Sequence, residues 1–374
     1  MLTTTGSDCG IAAYSLALTR SLVDCCGIDV ITVPITPGKQ PFPHYEEQAI
    51  LLNGADIDVV HIQHEYSFWG GVLPRSSSFW QMRYLIKKPL VMTAHTTYSA
   101  AEMLRLPTER RIPQRLVKRA LLLNRSWVQS VEIAPFVTAV TIVHTKAARD
   151  AMIQRGAKPS FVEVIPTGIP SAVPASQNGV GFVHSHGLQG KRVISLFGFI
   201  APNKGYELTL ELLRLLPADI SLVIAGGPRN ASMQPYADLL QSEIAASGLA
   251  DRVIITGYLG EDELAEVMAA SLLVVTPHTQ ATGSYSVALP LAHGKPIVAS
   301  NQDCFREIVE RKPCLELFRS GDITDYLRAV TLLLDDGDRR QRLGRSAAEY
   351  AEATSWPKVA ERTAAVYRRA LELW

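Results

Sequence analysis

A chain of 374 residues is longer than one ordinary hydrophobic core accommodates, so two domains are expected. Hydrophobic residues make up 47% and charged residues 20%, the balance of a folded chain and not of a disordered one. The formal charge of +1 supplies no global field for nucleic acid, so no nucleic-acid partner is expected and any electrostatics that matter are local. The five cysteines (Cys9, Cys25, Cys26, Cys304 and Cys314) are odd in number and form no C-x-x-C pair. A disulfide framework and a zinc site are therefore not expected, and a reducing cytoplasm is. No apolar run approaches the roughly 18 residues of a membrane span, and no signal-peptide pattern leads the chain. The expectation is a cytoplasmic protein that touches a membrane at most peripherally, at its inner face.

Ahead of the helical pattern of 11–25 only about three residues could serve as a strand, fewer than the roughly 5–6 of a mean strand. The first strand is thus a stub, or the start lies upstream. Short apolar runs at 29–33, 58–62, 90–93, 139–143 and 162–165 predict strands, and helices are predicted at 76–86, 114–129 and 146–154. Residues 170–181 are rich in breakers and poor in periodic apolar positions, as a linker would be. The alternation resumes with strands at 193–198, 221–225, 252–256, 272–276 and 296–299, and the chain closes on a helical stretch, 356–374. Runs of this kind, buried on both faces, belong to parallel α/β sheets. The division reads as a first domain at 1–170, a linker at 171–190, a second domain at 191–355 and a terminal helix at 356–374. Two Rossmann-like domains of this kind bind ligands outside the carboxyl ends of their strands.

Candidate site residues follow predicted strands. After 272–276 comes a small-residue loop, Thr282, Gly283 and Ser284, continuing through Tyr285 and Ser286 into a helix. Free N–H groups and the positive end of a helix dipole at such a turn suit a phosphate. Lys204 follows 193–198; it reads either as a cation for a departing diphosphate or as a solvated lysine at a helix start. Gly226-Gly227-Pro228 and Gly257-Tyr258-Leu259 are strand-end turns. Gly10 opens the first helix, where a missing Cβ would let backbone approach a phosphate. No full G-x-G-x-x-G accompanies it, which argues against a dinucleotide dehydrogenase. His64, Glu65, Tyr66 and Trp69 cluster after 58–62. They form either a sugar-stacking loop or a loop packing its own aromatics. His95, at the end of 90–93, is a lone histidine with a structural or a functional reading. No Asp-x-Asp, G-x-S-x-G or His-Glu-x-x-His motif occurs. No metal site is expected.

The stretches Leu196-Phe-Gly-Phe-Ile-Ala-Pro-Asn-Lys-Gly-Tyr-Glu207 and Thr276-Pro-His-Thr-Gln-Ala-Thr-Gly-Ser284, with Ala292-His-Gly-Lys-Pro296, resemble the group-1 retaining glycosyltransferases. The resemblance covers nearly the whole chain. It implies the GT-B fold, in which two Rossmann-like domains face a central cleft and the terminal helix crosses back to the first domain. It also implies a retaining hexosyltransferase that uses a nucleotide sugar, carried on UDP or GDP, with no further cofactor and no metal. Lys204 and the 282–286 loop would then hold the diphosphate, with Gly10 from the opposite wall. Gly227, Tyr258 and Leu259 would lie along the donor, and His95 would support its sugar. His64, Glu65, Tyr66 and Trp69 would face a sugar or lipid-linked acceptor in polysaccharide, glycolipid or glycoconjugate assembly. The family's arginine is replaced by Phe199 (or, in a variant pattern, Ala201), and its two glutamates by Ala281 and Leu289. The chain is therefore a divergent member. A non-catalytic scaffold or partner subunit is the alternative, with a sugar-nucleotide epimerase behind it. Between Arg105 and Arg125 seven basic residues oppose Glu102 and Glu109, a stretch that reads as peripheral membrane contact, as an attractor of an anionic acceptor or as a solvated helix.

Overall fold

Two six-stranded parallel sheets organise the chain in a computed structural model. The structure describes residues 1–5, 9–70, 79–97, 116, 120, 123–124, 139–176, 178–228, 231–281 and 287–374. Contacts divide the chain into unit 1, Met1–Gly168 with Trp356–Trp374, and unit 2, Ile169–Ser355. The expected helix 114–129 and the basic stretch from Arg105 to Arg125 fall almost wholly outside the described residues.

Unit 1 contains β1 (Leu2–Thr3), α1 (Gly10–Cys26), β2 (Val33–Pro34), α2 (Phe42–Gly54), β3 (Val60–His64), α3 (Phe79–Leu85), β4 (Leu90–Ala94), β5 (Val140–Val143), α4 (Lys146–Gln154) and β6 (Val162–Val164). The sheet order is β2-β1-β3-β4-β5-β6. The chain leaves β1 for β2 on one side and then crosses to β3 on the other, so the topological switch lies between β1 and β3. β1 spans two residues, both inside the core. Its brevity corrects the expected strand at 29–33. An edge strand pairs only as far as its neighbour extends, and Leu2 and Thr3 offer partners to Val33 and Pro34 alone.

The interior strands are rich in β-branched and apolar residues. Every residue of β3, β4 and β5 is buried, the pattern of a sheet covered on both faces. One cover is α13 (Trp356–Glu372), which lies against α1 through Tyr14, Leu18, Leu22, Trp356 and Val359. Arg362 of this helix donates to the Val164 carbonyl at 2.6 Å. Gly168 passes so close to Trp356 that a Cβ there would lie 2.4 Å from the indole ring.

Unit 2 runs α5 (Val180–Ser185), β7 (Arg192–Phe197), α6 (Tyr206–Leu215), β8 (Ile220–Ala225), α7 (Gln234–Ala246), β9 (Val253–Gly257), α8 (Glu261–Ala270) and β10 (Ser271–Thr276). It continues through α9 (Ala288–Ala292), β11 (Ile297–Ser300), α10 (Asp303–Arg311), β12 (Leu315–Phe318), α11 (Ile323–Asp335) and α12 (Gly337–Ala353). The order β12-β11-β10-β7-β8-β9 places the switch between β7 and β10. The expected linker 171–190 is not all loop. Residues 180–185 form α5, whose Phe182 joins Leu188 in the core, and Glu266 of α8 accepts from the Gly179 N–H at 2.7 Å.

Candidate functional site

In unit 2 the described candidate residues Lys204 and His278 lie at the carboxyl ends of β7 and β10, the two strands that flank the switch. The chain leaves β7 through a single 3-10 turn, Pro202–Lys204, closed by Gly205. That turn is clasped to the segment after β10: Thr279 N–H donates to the Asn203 carbonyl at 3.0 Å, and Asn203 Nδ2 donates to Gln280 O at 3.2 Å. Gly205 has φ +75°, and a Cβ there would stand 2.2 Å from the Pro277 carbonyl oxygen. Only glycine permits this approach of the two backbones.

The clasp brings Lys204 Nζ within 3.3 Å of His278 Nε2. Lys204 is half-buried, not a fully solvated lysine, and burial lowers its pKa to about 8. His278 is buried, and its pKa falls to about 3 through burial first and the neighbouring Lys204 second. A neutral imidazole at this position accepts from the ammonium. The His278 main chain is fixed in turn, since its carbonyl accepts from Ser300 Oγ at 2.6 Å and Gln302 Nε2 at 3.1 Å.

Farther along the same sheet edge, Tyr258 lies over Gly227. Its hydroxyl donates to the Pro228 carbonyl at 2.6 Å, and a Cβ on Gly227 would stand 3.0 Å from the ring. Tyr258 remains 62% exposed, with Phe199 edge-on at 6.2 Å between ring centroids. Leu259 is half-buried and packs on the core. Thr282, Gly283, Ser284, Tyr285 and Ser286 lie outside the described residues.

In unit 1, His95 stands one residue past β4 and is not a lone histidine. Its Nε2 lies 2.8 Å from Gln63 Oε1, and its Nδ1 lies 3.2 Å from His144 Nε2. His144 Nδ1 faces the Ile165 carbonyl at 3.0 Å, an acceptor that requires the proton there. His144 Nε2 is then a lone pair and His95 donates from Nδ1. Burial holds the His95 pKa well below 6.5, so the ring is neutral and its Nε2 is best met by the NH2 end of Gln63. The chain of polar groups continues behind it: with the amide turned that way, the other end of Gln63, 3.3 Å from His61 Nε2, presents its oxygen to His61. His61 in turn contacts Thr93 Oγ1 at 2.8 Å and Tyr367 of α13 at 2.7 Å. Tyr14 packs edge-on against His95 at 4.8 Å.

The loop read as a sugar-stacking surface is corrected. Residues 66–69 form a 3-10 turn whose aromatics point inward. Trp69 is 1% exposed among Tyr45 and Phe79, and Tyr66 is buried as well. His64 is buried between Tyr66 and Phe79, with a pKa lowered to about 3, burial first and Arg155 second. Aromatic bulk after a buried strand had a second outlet, the core itself, and the core took it. Glu65 alone of the four stays partly exposed, where it accepts from Thr96 Oγ1. Gly10 is the first residue of α1, and a Cβ there meets nothing within 4 Å. Among the described residues of unit 1, no close approach demands a glycine at this position.

His278, His144 and Gln63 were missed from the sequence. Each is a polar residue at a strand end beside a residue already singled out, and strand-end register was the one signal available to find them. Among the described residues no group of three or more His, Cys, Asp or Glu is placed to hold a metal ion, and no helix is long and apolar enough to cross a membrane.

Residues 184–350 match the family Glycosyl transferases group 1, and residues 10–173 match Glycosyltransferase Family 4. The chain is 25% identical over 293 residues to the MMP alpha-(1->4)-mannosyltransferase of Mycolicibacterium hassiacum, covering 76% of this chain and 66% of the relative. It is 30% identical over 250 residues to the D-inositol 3-phosphate glycosyltransferase of Kineococcus radiotolerans, covering 62% and 57%. The chain thus spans about half to two thirds of the length of such relatives. Among solved structures, sucrose-phosphate synthase from Thermosynechococcus elongatus superposes with a TM-score of 0.74 at 17% identity, over 98% of both chains. Anabaena HepE, solved with UDP and glucose, superposes with a TM-score of 0.69 at 16% identity, over 97% of this chain and 98% of that one. These likenesses establish the GT-B fold. With both halves matched by glycosyltransferase families, the chain belongs to the group-1 glycosyltransferases.

Proposed function

We propose that the protein transfers a sugar from a nucleoside diphosphate to an acceptor hydroxyl, with retention of anomeric configuration and without a metal. The observation that carries this reading is Lys204, a half-buried cation beside the switch point of the unit 2 sheet, where α/β sheets bind ligands. Negative charge grows on the diphosphate as the glycosidic bond breaks, and a preorganised cation stabilises that charge more than it stabilises the ground state. The N–H groups of 282–286 supply the remaining donors, and Gly227, Tyr258 and Leu259 border the nucleoside. UDP is the first carrier to test, since HepE was solved with it, and GDP the second. His95, neutral and oriented by His144, supports the sugar by accepting a hydroxyl proton at Nε2 in exchange for Gln63. In a front-face reaction the departing phosphate takes the acceptor's proton as the new glycosidic bond forms. The acceptor is a sugar or a lipid-linked sugar, met at the inner membrane face, with the Arg105 to Arg125 stretch as the peripheral contact.

A second reading has an observation of its own. Phe199, Ala281 and Leu289 stand where the family pattern carries charge, as they would in a partner subunit without turnover. One experiment separates the two: calorimetric titration with UDP, GDP, ADP and CDP without added metal, on wild type and Lys204→Ala. Micromolar binding of one nucleotide, lost in the variant, supports the donor site, and that nucleotide's sugars are then assayed for transfer. A folded wild type that binds none of the four favours the subunit.

A further inference from the structure

We propose that His278 is a positioning residue for Lys204, holding the ammonium as an acceptor so that it meets the diphosphate of a nucleotide already oriented. The inference rests on the donor-site reading above. Its own footing is geometric. Lys204 carries a long flexible stem, and a single exposed cation of that kind samples many rotamers. Here the 3.3 Å contact from Nζ to His278 Nε2 limits it. The residue that carries the imidazole is fixed: Ser300 and Gln302 donate to the His278 main-chain carbonyl, and the ring tilts against Phe305 at 5.7 Å. The Lys204 turn is fastened to the same segment through Asn203 and Gly205, so lysine and acceptor belong to one rigid piece. Preorganisation of this kind removes the cost of ordering the side chain at the moment of binding.

A neutral histidine is the suitable acceptor. A carboxylate in its place would neutralise the lysine and repel the diphosphate, whereas an apolar residue would leave the half-buried ammonium unsolvated. Three charged groups on the adjoining elements are engaged elsewhere. Glu207 of α6 accepts from Tyr236, Asp303 of α10 pairs with Arg306, and Arg319 after β12 pairs with Asp322. No carboxylate contributes to the depressed pKa of Lys204, whose cause is burial. The acceptor therefore works against burial to keep the lysine charged.

The test uses the full chain in four forms: wild type, His278→Leu, His278→Gln and Lys204→Arg, the last to assign the lysine signal. The Lys204 pKa is followed by NMR on 13Cε-labelled lysine without nucleotide, and UDP and GDP affinities are measured by calorimetry from pH 6 to 9.5. The expected result is a Lys204 pKa below about 8 in His278→Leu, because the protonated form has lost its acceptor, with the wild-type value kept in His278→Gln. Nucleotide affinity in His278→Leu is expected to fall about tenfold, the scale of a lost hydrogen bond to a charged group, and to decline at lower pH than in wild type. His278→Gln restores both. A Lys204 pKa that is unchanged in His278→Leu, or that falls equally in His278→Gln, overturns the inference. So does nucleotide binding that the leucine variant leaves intact, with the donor site itself standing. A wild type that binds no nucleotide while its lysine pKa still responds to His278 removes the donor site, and the positioning role with it.

Discussion

Gly205→Ala measures how closely the β7 turn is bound to the end of β10. Two costs apply. Alanine at φ +75° pays for a left-handed backbone, about 1–2 kcal/mol. The added Cβ also lies 2.2 Å from the Pro277 carbonyl oxygen, a backbone atom that cannot swing aside. Overpacking of this kind costs about 1–3 kcal/mol more. Gly187→Ala separates the two: its φ is +64°, but a Cβ there meets nothing within 4 Å. It should lose only the backbone share. At about 2–4 °C per kcal/mol for a domain of this size, and taking the middle of each range, the unit 2 transition is expected to fall by roughly 7–14 °C in Gly205→Ala and by roughly 3–6 °C in Gly187→Ala. Differential scanning calorimetry resolves the two drops. The same shift moves Lys204 relative to His278, so UDP affinity should weaken in Gly205→Ala and hold in Gly187→Ala. Equal melting drops in the two variants would refute the clasp.

Three other outcomes are expected. Trp69→Ala should destabilise unit 1 by about 3–5 kcal/mol through the cavity it leaves, while Trp69→Phe keeps the acceptor KM; a raised KM in a stably folded Trp69→Phe would return the ring to the acceptor. Gly10→Ala should leave the melting temperature within a degree or two, because its Cβ meets open space in unit 1. If Gly10 nonetheless borders a bound diphosphate, calorimetry will show weaker UDP binding with unchanged stability; unchanged binding removes Gly10 from the site. Acid should act mainly on unit 1. His61 and His64 are held to about 3 by burial, whereas the unfolded chain titrates near 6.5, so their contribution is present above about 6.5 and lost as the pH falls toward 3. By pH 5 the loss from each is about 2 kcal/mol. Unit 2 has His278 with a comparable shift. Circular dichroism melts at pH 7 and pH 5 should show the larger fall in unit 1, and a pH-independent unit 1 transition would contradict the neutral histidine cluster.

What the sequence disclosed and what it hid divide along physical lines. Buried parallel strands announce themselves because both faces are apolar, and the runs at 193–198, 221–225 and 272–276 all became strands. The run at 29–33 failed because an edge strand depends on its neighbour's length, which its own residues do not encode. Lys204 was legible from its strand end and the family pattern, but not its acceptor: His278 lies 74 residues away, and only the β7–β10 adjacency brings them together. His95 and His144, 49 residues apart, pose the same problem. Trp69 misled in the opposite sense. An aromatic after a strand serves a ligand or a core equally well by composition, and the choice depends on Tyr45 and Phe79, one upstream in sequence and one downstream.

The three positions at which the resemblance implied a charged residue share a character in the structure. Leu289, on the first turns of α9, packs against the core that includes Val274 and Ile297, and Ala281 packs beside the same core while its carbonyl accepts from Cys304 Sγ. Phe199 turns outward against Tyr258. Each of these side chains makes an apolar contact, and a carboxylate at 289 would have to leave that packing to reach water. The polar groups that remain along this sheet edge are of another kind. Among the described residues they include main-chain carbonyls held by Ser300, Gln302 and Asn203, and Lys204 beside the neutral His278. Recognition by fixed backbone and a single oriented cation needs rigidity more than it needs side-chain charge, and rigidity is what the clasp between β7 and β10 supplies.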